Sequence, residues 1–277
     1  MVVSRRKFLS TAAGFGALAA SSVQASAMRP LIRTIDDAVE VAGSNLQANS
    51  SEGKIFADYI IEAEKLINSV GNSKPATENA RLYRQAFDTY EKAIQYAKDE
   101  SDISWANPKR LTYTSWEIVA RMWQAKLVNG TASMNIMKDG EVIYVEGLGP
   151  IKANGRRDSP SYNYLKALQN YDKVNEIYQE MESRGKRFSS NNIGLGLGDR
   201  GIIADQSLIL KRIYEAFEGA VRAGIPVEHE KALLKRWADT IEHNKKTGDT
   251  YSLDKLAPFT RMKLEPYLAG RQSARFN

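Results

Sequence analysis

The fold class is indicated most clearly by one central stretch, residues 108–130, with the sequence PKRLTYTSWEIVARMWQAKLVNG. Its large apolar side chains recur every three or four residues, a period that places them on one face of an α-helix. They are Trp116, Val119, Trp123 and Leu127. Pro108 is typical of a first helical position and Gly130 of a helix end. The stretch therefore predicts an amphipathic helix over about 108–128.

Stripes of the same period lie on both sides of this helix, and each one predicts a further helix. The predicted helices span 35–47, 54–70, 76–98, 161–183, 202–222 and 227–244. A shorter helix is predicted from Ser252, broken by Pro258 and Pro266.

The segment YEKAIQYAK at residues 90–98 resembles the second helix of a tetratricopeptide repeat. That resemblance would imply a solenoid of helix pairs. The small and aromatic positions do not recur at the period of about 34 residues that such an array needs. The sequence therefore favours an irregular multi-helix domain over a repeat array.

The period changes to two in SMNIMKDGEVIYVEG, residues 133–147. Asp139-Gly140 between two β-rich runs is the strongest short hairpin signal. With Lys138 opposite Glu141, the expected facing pairs are Met134 with Val145 and Ile136 with Ile143. The predicted fold class is thus mainly α, an irregular multi-helix domain with one small β-hairpin insertion at about 133–146.

The N-terminal segment SRRKFLS, residues 4–10, resembles the twin-arginine export motif through four residues. These are Arg5, Arg6, Phe8 and Leu9, with Ser10 where lysine is commonest. A weakly apolar run follows, and then Ala25 and Ala27 in the A-x-A pattern that signal peptidases accept. The resemblance implies a cleavable signal peptide at 1–27, the twin-arginine export machinery as a partner, and a periplasmic or secreted mature chain at 28–277.

A membrane anchor is the alternative interpretation of the N-terminus. The apolar run of 11–23 is shorter than the roughly 20 residues that a bilayer needs, which favours a signal peptide over an anchor. No apolar segment of the predicted mature chain is long enough to span a membrane, so no stable anchor is expected after cleavage. Within the mature chain, the hairpin suggests a division into 34–130 and 158–270.

The composition argues against several classes of function. The chain has no cysteine and only two histidines, His229 and His243, without metal-ligand spacing, so we expect no metal and no redox cofactor. The formal net charge is +6, but Arg5, Arg6 and Lys7 belong to the predicted signal, which leaves 36 of the 39 basic residues against 33 acidic ones. That near balance, without a basic stripe, argues against nucleic acid as a partner.

The glycine-rich segment GLGLGDRG at 194–201 is the main candidate for a binding loop. Glycines let a backbone approach an anion closely, and Lys186, Arg187 and Arg200 lie in the same loop, so an anion-binding site is one hypothesis. The GxGxG spacing matches neither a dinucleotide fingerprint nor a P-loop, which favours an ordinary interhelical loop. A second basic loop holds Lys152, Arg156 and Arg157. The helix between the loops separates them by about 30 Å.

A helix followed by a hairpin is similar to the architecture of lysozyme-like and chitosan-cleaving enzymes, which act through paired carboxylates. In those families the acid lies near the end of the helix before the hairpin, and here no acid follows Glu117 in that helix. Three other carboxylates stay candidates: Asp139, Asp158 and Asp199. Trp116 and Trp123 could floor a sugar groove, although their helical spacing favours the core. His229 lacks a GxSxG partner and is not expected to act as a general base.

Three hypotheses follow. The first is an exported helical binding or interaction protein with a ligand or protein partner still to be identified. The second is a carboxylate-dependent hydrolase of cell-envelope or extracellular polysaccharide. The third is an accessory subunit exported together with a cofactor-bearing partner.

Overall fold

A computed structural model describes residues 50–131, 134, 136–154, 161–185, 206–247 and 258–273. These residues form seven helices and two short strands. In chain order they are α1 Ser51–Asn68, α2 Ala76–Glu100, α3 Pro108–Gly130, β1 Val142–Val145, β2 Gly149–Lys152, α4 Ser161–Ser183, α5 Gln206–Ala223, α6 Val227–Thr247 and α7 Pro258–Ser273. The fold class predicted from the sequence, mainly α with a single small hairpin, is confirmed.

The first five helices form a sequential stack in which each one packs against the next. Helix α4 also covers β1, while α6 and α7 pack on each other and on α5. The buried apolar side chains form one cluster, to which the described helices on both sides of the hairpin and both strands contribute. The predicted limits at residues 27, 34 and 158 lie outside the described residues.

Local capping explains where the early helices begin. The Ser50 hydroxyl accepts a hydrogen bond from the Gly53 amide at 3.0 Å, and the Asn107 side chain accepts one from the Lys109 amide at 2.9 Å. Between α1 and α2, the Asn79 side chain contacts both the amide and the carbonyl of Gly71, at 3.3 and 3.0 Å. The two caps satisfy first-turn amides that have no intrahelical partner, and Asn79 holds the connection between α1 and α2.

The predictions for α1 to α6 are confirmed within a few residues at each end, whereas the predicted helix 35–47 lies outside the described residues. The part of the last predicted helix from Ser252 to residue 257 lies outside the described residues, and the predicted break at Pro266 is wrong. Pro258 begins α7, because a first helical position needs no N–H donor. Pro266 lies inside α7 without ending it. Proline has no N–H group, so the carbonyl of Met262, four residues earlier, has no intrahelical donor. Met262 is exposed, and water can donate to this carbonyl instead.

The predicted location of the hairpin, about 133–146, is also wrong. The turn at Asp139-Gly140 does form. In it the Glu141 amide donates to the Lys138 carbonyl at 3.1 Å, and Gly140 has φ 75°. It leads into β1 without joining two strands. The antiparallel partner of β1 is β2, with Ile143 opposite Ile151 and Val145 opposite Gly149.

Side chains from two helices explain the change of strand partner. The Asn163 amide group donates to the Met134 carbonyl at 2.6 Å, and the Arg84 guanidinium donates to the Ile136 carbonyl at 3.1 Å. These two carbonyls are satisfied by side chains of α2 and α4, so they need no donor from a β-ladder. The turn that does join the strands has Gly147 at φ 78° as its third residue, where a type II turn needs glycine.

Two stacks of phenylalanine on tryptophan occupy the core. Phe56 stacks on Trp116 at 5.0 Å between ring centroids, and Phe217 stacks on Trp237 at 5.4 Å. Both tryptophans are buried, with exposed fractions of 1% and 0%. Across the described residues, every helix is too short or too polar to cross a membrane.

Candidate functional site

A cleft of about 730 Å³ opens between the hairpin turn, α4 and α6, with α5 at one side. Eight of its eleven lining residues have polar or charged side chains, and apolar atoms make up about half of the exposed lining. The residues are Glu146, Gly147, Asp172, Asn175, Gln179, Ile213, Ala232, Lys235, Arg236, Asp239 and Thr240. Its volume is in the usual range for a site that binds a small molecule.

A bidentate ion pair joins α4 to α6 in this cleft. Arg236 donates from Nη1 to Asp172 Oδ2 at 2.8 Å and from Nη2 to Asp172 Oδ1 at 2.5 Å. The side chains are 15% and 8% exposed, so the pair is largely removed from water. The two parallel bonds fix the orientation of both groups.

The hairpin turn and α5 hold the guanidinium from other sides. Arg236 Nη1 donates to the Glu146 carbonyl at 3.0 Å, while Nη2 lies 3.4 Å from the Glu146 carboxylate. The guanidinium carbon also lies 5.2 Å from the centroid of the Phe217 ring. Arg236 is therefore the residue through which α4, α5, α6 and the hairpin turn meet.

The electrostatics of Asp172 reflect this burial. Desolvation raises the pKa of the Asp172 carboxyl above its ordinary value of 3.8, although the hydrogen bonds and charge of Arg236 act in the opposite direction. Glu146 and Glu176 add to the rise because both carry negative charge. The raised pKa is therefore mainly a consequence of burial, and the two glutamates offset only part of the opposing effect of Arg236.

The arrangement suits binding better than proton transfer. Both oxygens of Asp172 accept hydrogen bonds from Arg236, so the carboxyl would have to break a bidentate pair before it could donate or abstract a proton. The amide groups of Asn175 and Gln179 and the hydroxyl of Thr240 provide neutral donors and acceptors around it. Such groups orient a polar ligand.

The sequence-predicted site residues lie mainly outside the described residues. These are Arg5, Arg6, Phe8, Leu9, Ala25, Ala27, Lys186, Arg187 and Arg200, and also Arg156, Arg157, Asp158 and Asp199. The export and anion-binding hypotheses therefore stay predictions.

The candidate residues that the structure describes do not come together at the cleft. Glu117 is buried and forms an ion pair with Arg121 at 2.8 Å within α3. Asp139 is exposed at its turn, and Lys152 is exposed at the end of β2. His229 is half-buried in the first turn of α6.

The two tryptophans of α3 take core positions. Trp116 is buried, as the helical spacing indicated, and Trp123 is partly buried against the same core. The Trp123 ring meets the Tyr90 ring edge to face at 6.3 Å between centroids. Trp116 is therefore inaccessible to a sugar.

A second polar cluster, formed by α2, α3 and α4, is internal to the helix stack. Gln124 donates to Glu91 at 2.7 Å and accepts from Asn170 at 2.7 Å, and Arg121 lies 3.4 Å from the Asn170 side-chain oxygen. Gln124 and Asn170 are fully buried. Because these groups satisfy one another, the cluster explains how polar residues pack between helices without a ligand.

The same part of the molecule contains a buried carboxyl outside the cleft. The Tyr90 hydroxyl donates to Glu64, which joins α1 to α2. Desolvation raises the pKa of Glu64 above its ordinary value of 4.5, while the hydrogen bond from Tyr90 and the charge of Lys126 lower it by less.

Sequence reasoning missed the three residues that define the cleft, Glu146, Asp172 and Arg236. They are far apart in the chain and match no motif. One signal existed in α4, where polar residues such as Asn163, Lys166 and Asn170 interrupt an aromatic segment. The structure shows that these polar side chains are buried, because α4 packs against α3, α5 and β1 at once.

No protein-family model, no curated protein and no solved structure matches this chain. Within the described ranges, there is no group of three or more histidine, aspartate and glutamate side chains placed to hold a metal ion.

Proposed function

We propose that this chain is a binding protein that holds a small polar ligand in the cleft between the hairpin turn, α4 and α6. The observation that carries the proposal is the buried, bidentate pair of Asp172 and Arg236 in a cleft of about 730 Å³. A buried ion pair often stabilises a fold no better than apolar side chains of similar volume. We infer that the pair presents a fixed polar surface to a ligand.

Export is the second part of the proposal. The support is the resemblance of residues 4–10 to the twin-arginine motif and the A-x-A pattern at Ala25 and Ala27. The mature protein would act in the periplasm or outside the cell, with the ligand bound to a domain that contains no cysteine. If the signal peptide is cleaved after Ala27, the intact mass of the exported protein should be that of residues 28–277.

The hydrolase hypothesis draws less support from the geometry. Glu117 forms an ion pair within its own helix, Trp116 is buried, and both oxygens of Asp172 bond to Arg236. A glycosidase needs one carboxylic acid free to protonate a leaving group.

Native mass spectrometry of the exported protein tests the binding proposal. We expect a small-molecule adduct on the wild-type protein and its loss in Ala232→Trp, because the indole would fill the cleft that Ala232 lines. Lys231→Trp is the matched control, since Lys231 is exposed one residue away and does not line the cleft. An adduct retained by Ala232→Trp, or the absence of any adduct on the wild type, would contradict the proposal.

A further inference from the structure

The charges around the cleft are unbalanced towards the acidic side. Three of its lining residues are carboxylates, Glu146, Asp172 and Asp239, against two cations, Lys235 and Arg236. Outside the lining, Glu176 also contributes negative potential at Asp172, and it forms an ion pair with Lys173 at 2.7 Å. The lining thus carries one excess negative charge, which favours a cationic ligand over an anionic one.

The contacts of Arg236 show which carboxylate can serve a ligand. Asp172 takes the two shortest bonds from the guanidinium, so each charge in that pair is largely neutralised by the other. The Glu146 carboxylate has only a 3.4 Å contact with Arg236, and its side chain is 73% exposed. Because the Glu146 side of this pair is exposed and its contact is long, the contact contributes little to stability, and Glu146 can turn to an incoming cation at small cost.

The lining also distinguishes between kinds of cation. None of the described lining residues is aromatic, whereas quaternary ammonium groups are usually held by aromatic cages. The lining is instead rich in oxygen acceptors: the carboxylates, the side-chain carbonyls of Asn175 and Gln179, and the hydroxyl of Thr240. A primary ammonium group has three N–H donors for such acceptors.

We propose that the ligand of this cleft is a small primary amine, such as a polyamine or diamine, and that Glu146 on the hairpin turn determines this specificity. The inference rests on the proposed binding function. It adds the chemical class of the ligand and the residue that selects it.

Isothermal titration calorimetry with five probes tests the class of ligand. Spermidine and 1,5-diaminopentane are the primary amines, choline the quaternary ammonium, succinate the anion and trehalose the neutral compound. We expect both amines to bind, and choline to bind about ten-fold more weakly because it cannot donate hydrogen bonds from nitrogen. The binding should weaken as ionic strength rises, because salt screens exposed charges.

Matched charge variants test the role of Glu146. Glu146→Gln should weaken spermidine binding about three- to ten-fold, and Lys235→Gln should strengthen it, because each changes the local charge by one unit in opposite directions. Glu62→Gln removes an exposed carboxylate on α1 and should leave the affinity unchanged. Equal weakening by Glu62→Gln and Glu146→Gln would show non-specific attraction to an acidic surface and would overturn the inference.

The failures of the two proposals are distinguishable. Binding of succinate or trehalose, abolished by Ala232→Trp, would keep the cleft as a binding site and overturn the amine inference. Amine binding that survives Ala232→Trp would place the amine elsewhere and would also overturn it. No binding of any probe, together with no native adduct, would overturn both proposals.

Discussion

The two phenylalanine–tryptophan stacks give the molecule similar cores with different surroundings. Each tryptophan is buried, and each lies beside a charged residue in the sequence, Glu117 after Trp116 and Arg236 before Trp237. Glu117 pairs with Arg121 one helical turn away, while Arg236 reaches a carboxylate on another helix. The first charge is satisfied locally inside a sealed stack of helices, and the second is satisfied across a cleft.

The position of its partner therefore determines whether a buried charge stabilises one helix or connects two. A pair within one helix forms with that helix and leaves the packing of its neighbours undisturbed. A pair between helices fixes their relative position and needs space around it for two side chains from opposite walls. In this molecule the pair of Asp172 and Arg236 lines the cleft, whereas the pair of Glu117 and Arg121 does not.

The largest expected effect comes from removing either tryptophan. Trp116→Ala and Trp237→Ala should each lower the free energy of unfolding by about 3–5 kcal/mol, because each leaves a large cavity in the core. Urea denaturation followed by circular dichroism measures the loss. Spermidine titration at a temperature where both variants are folded should show weaker binding for Trp237→Ala alone, since Phe217 contacts both Trp237 and Arg236. Equal weakening by Trp116→Ala would remove the distinction between the two stacks.

The next effect compares the two charged pairs. Asp172→Ala should cost about 3 kcal/mol, because it leaves Arg236 buried without its carboxylate partner. Glu117→Ala should cost less, about 1–2 kcal/mol, because Arg121 keeps its contact with Asn170. Urea midpoints measure both losses.

The double variant Asp172→Ala with Arg236→Met provides the control for that comparison. Most of the stability should return, because the unpaired buried charge is gone. If the double variant is as unstable as Asp172→Ala, the loss comes from packing and the assignment of Arg236 is wrong.

The smallest effect is the pH dependence that Glu64 adds to the free energy of unfolding. The pKa of Glu64 is raised in the folded state, so between its ordinary value and the raised value the folded protein binds more protons than the unfolded one. Stability from this residue is therefore greatest at low pH and falls as pH rises through that window. Glu64→Gln does not titrate but still has an oxygen that can accept from Tyr90, so its stability should fall less between about pH 4 and pH 7. A pH profile of urea midpoints identical to that of the wild type would contradict this.

The sequence predicts the helices well because their signal is local. Apolar period, Asn107 with Pro108, and Gly130 define α3 without any knowledge of the rest of the chain. The turn at Asp139-Gly140 is predicted for the same reason. The strand that pairs with β1 is not, because the carbonyls of Met134 and Ile136 bond to Asn163 and Arg84, which are distant in sequence.

The cleft is the extreme case of this limitation. Its ion pair joins residues 64 positions apart, and the contact of Arg236 with the hairpin turn spans 90 positions. No spacing rule connects Glu146, Asp172 and Arg236, and each alone is an ordinary charged residue on a helix or turn. Burial of the polar residues of α4 could only be inferred once its neighbours on three sides were known.

The separation between Glu146 and Arg236 also has a consequence during synthesis. The hairpin turn and α4 leave the ribosome before α6, so the guanidinium that joins them is absent while the chain as far as α4 begins to fold. During that interval neither Asp172 nor the hairpin turn can bond to the Arg236 guanidinium, which later holds both of them. We expect the nascent chain to acquire its cleft only when α6 docks, as one of the last events in the maturation of the domain.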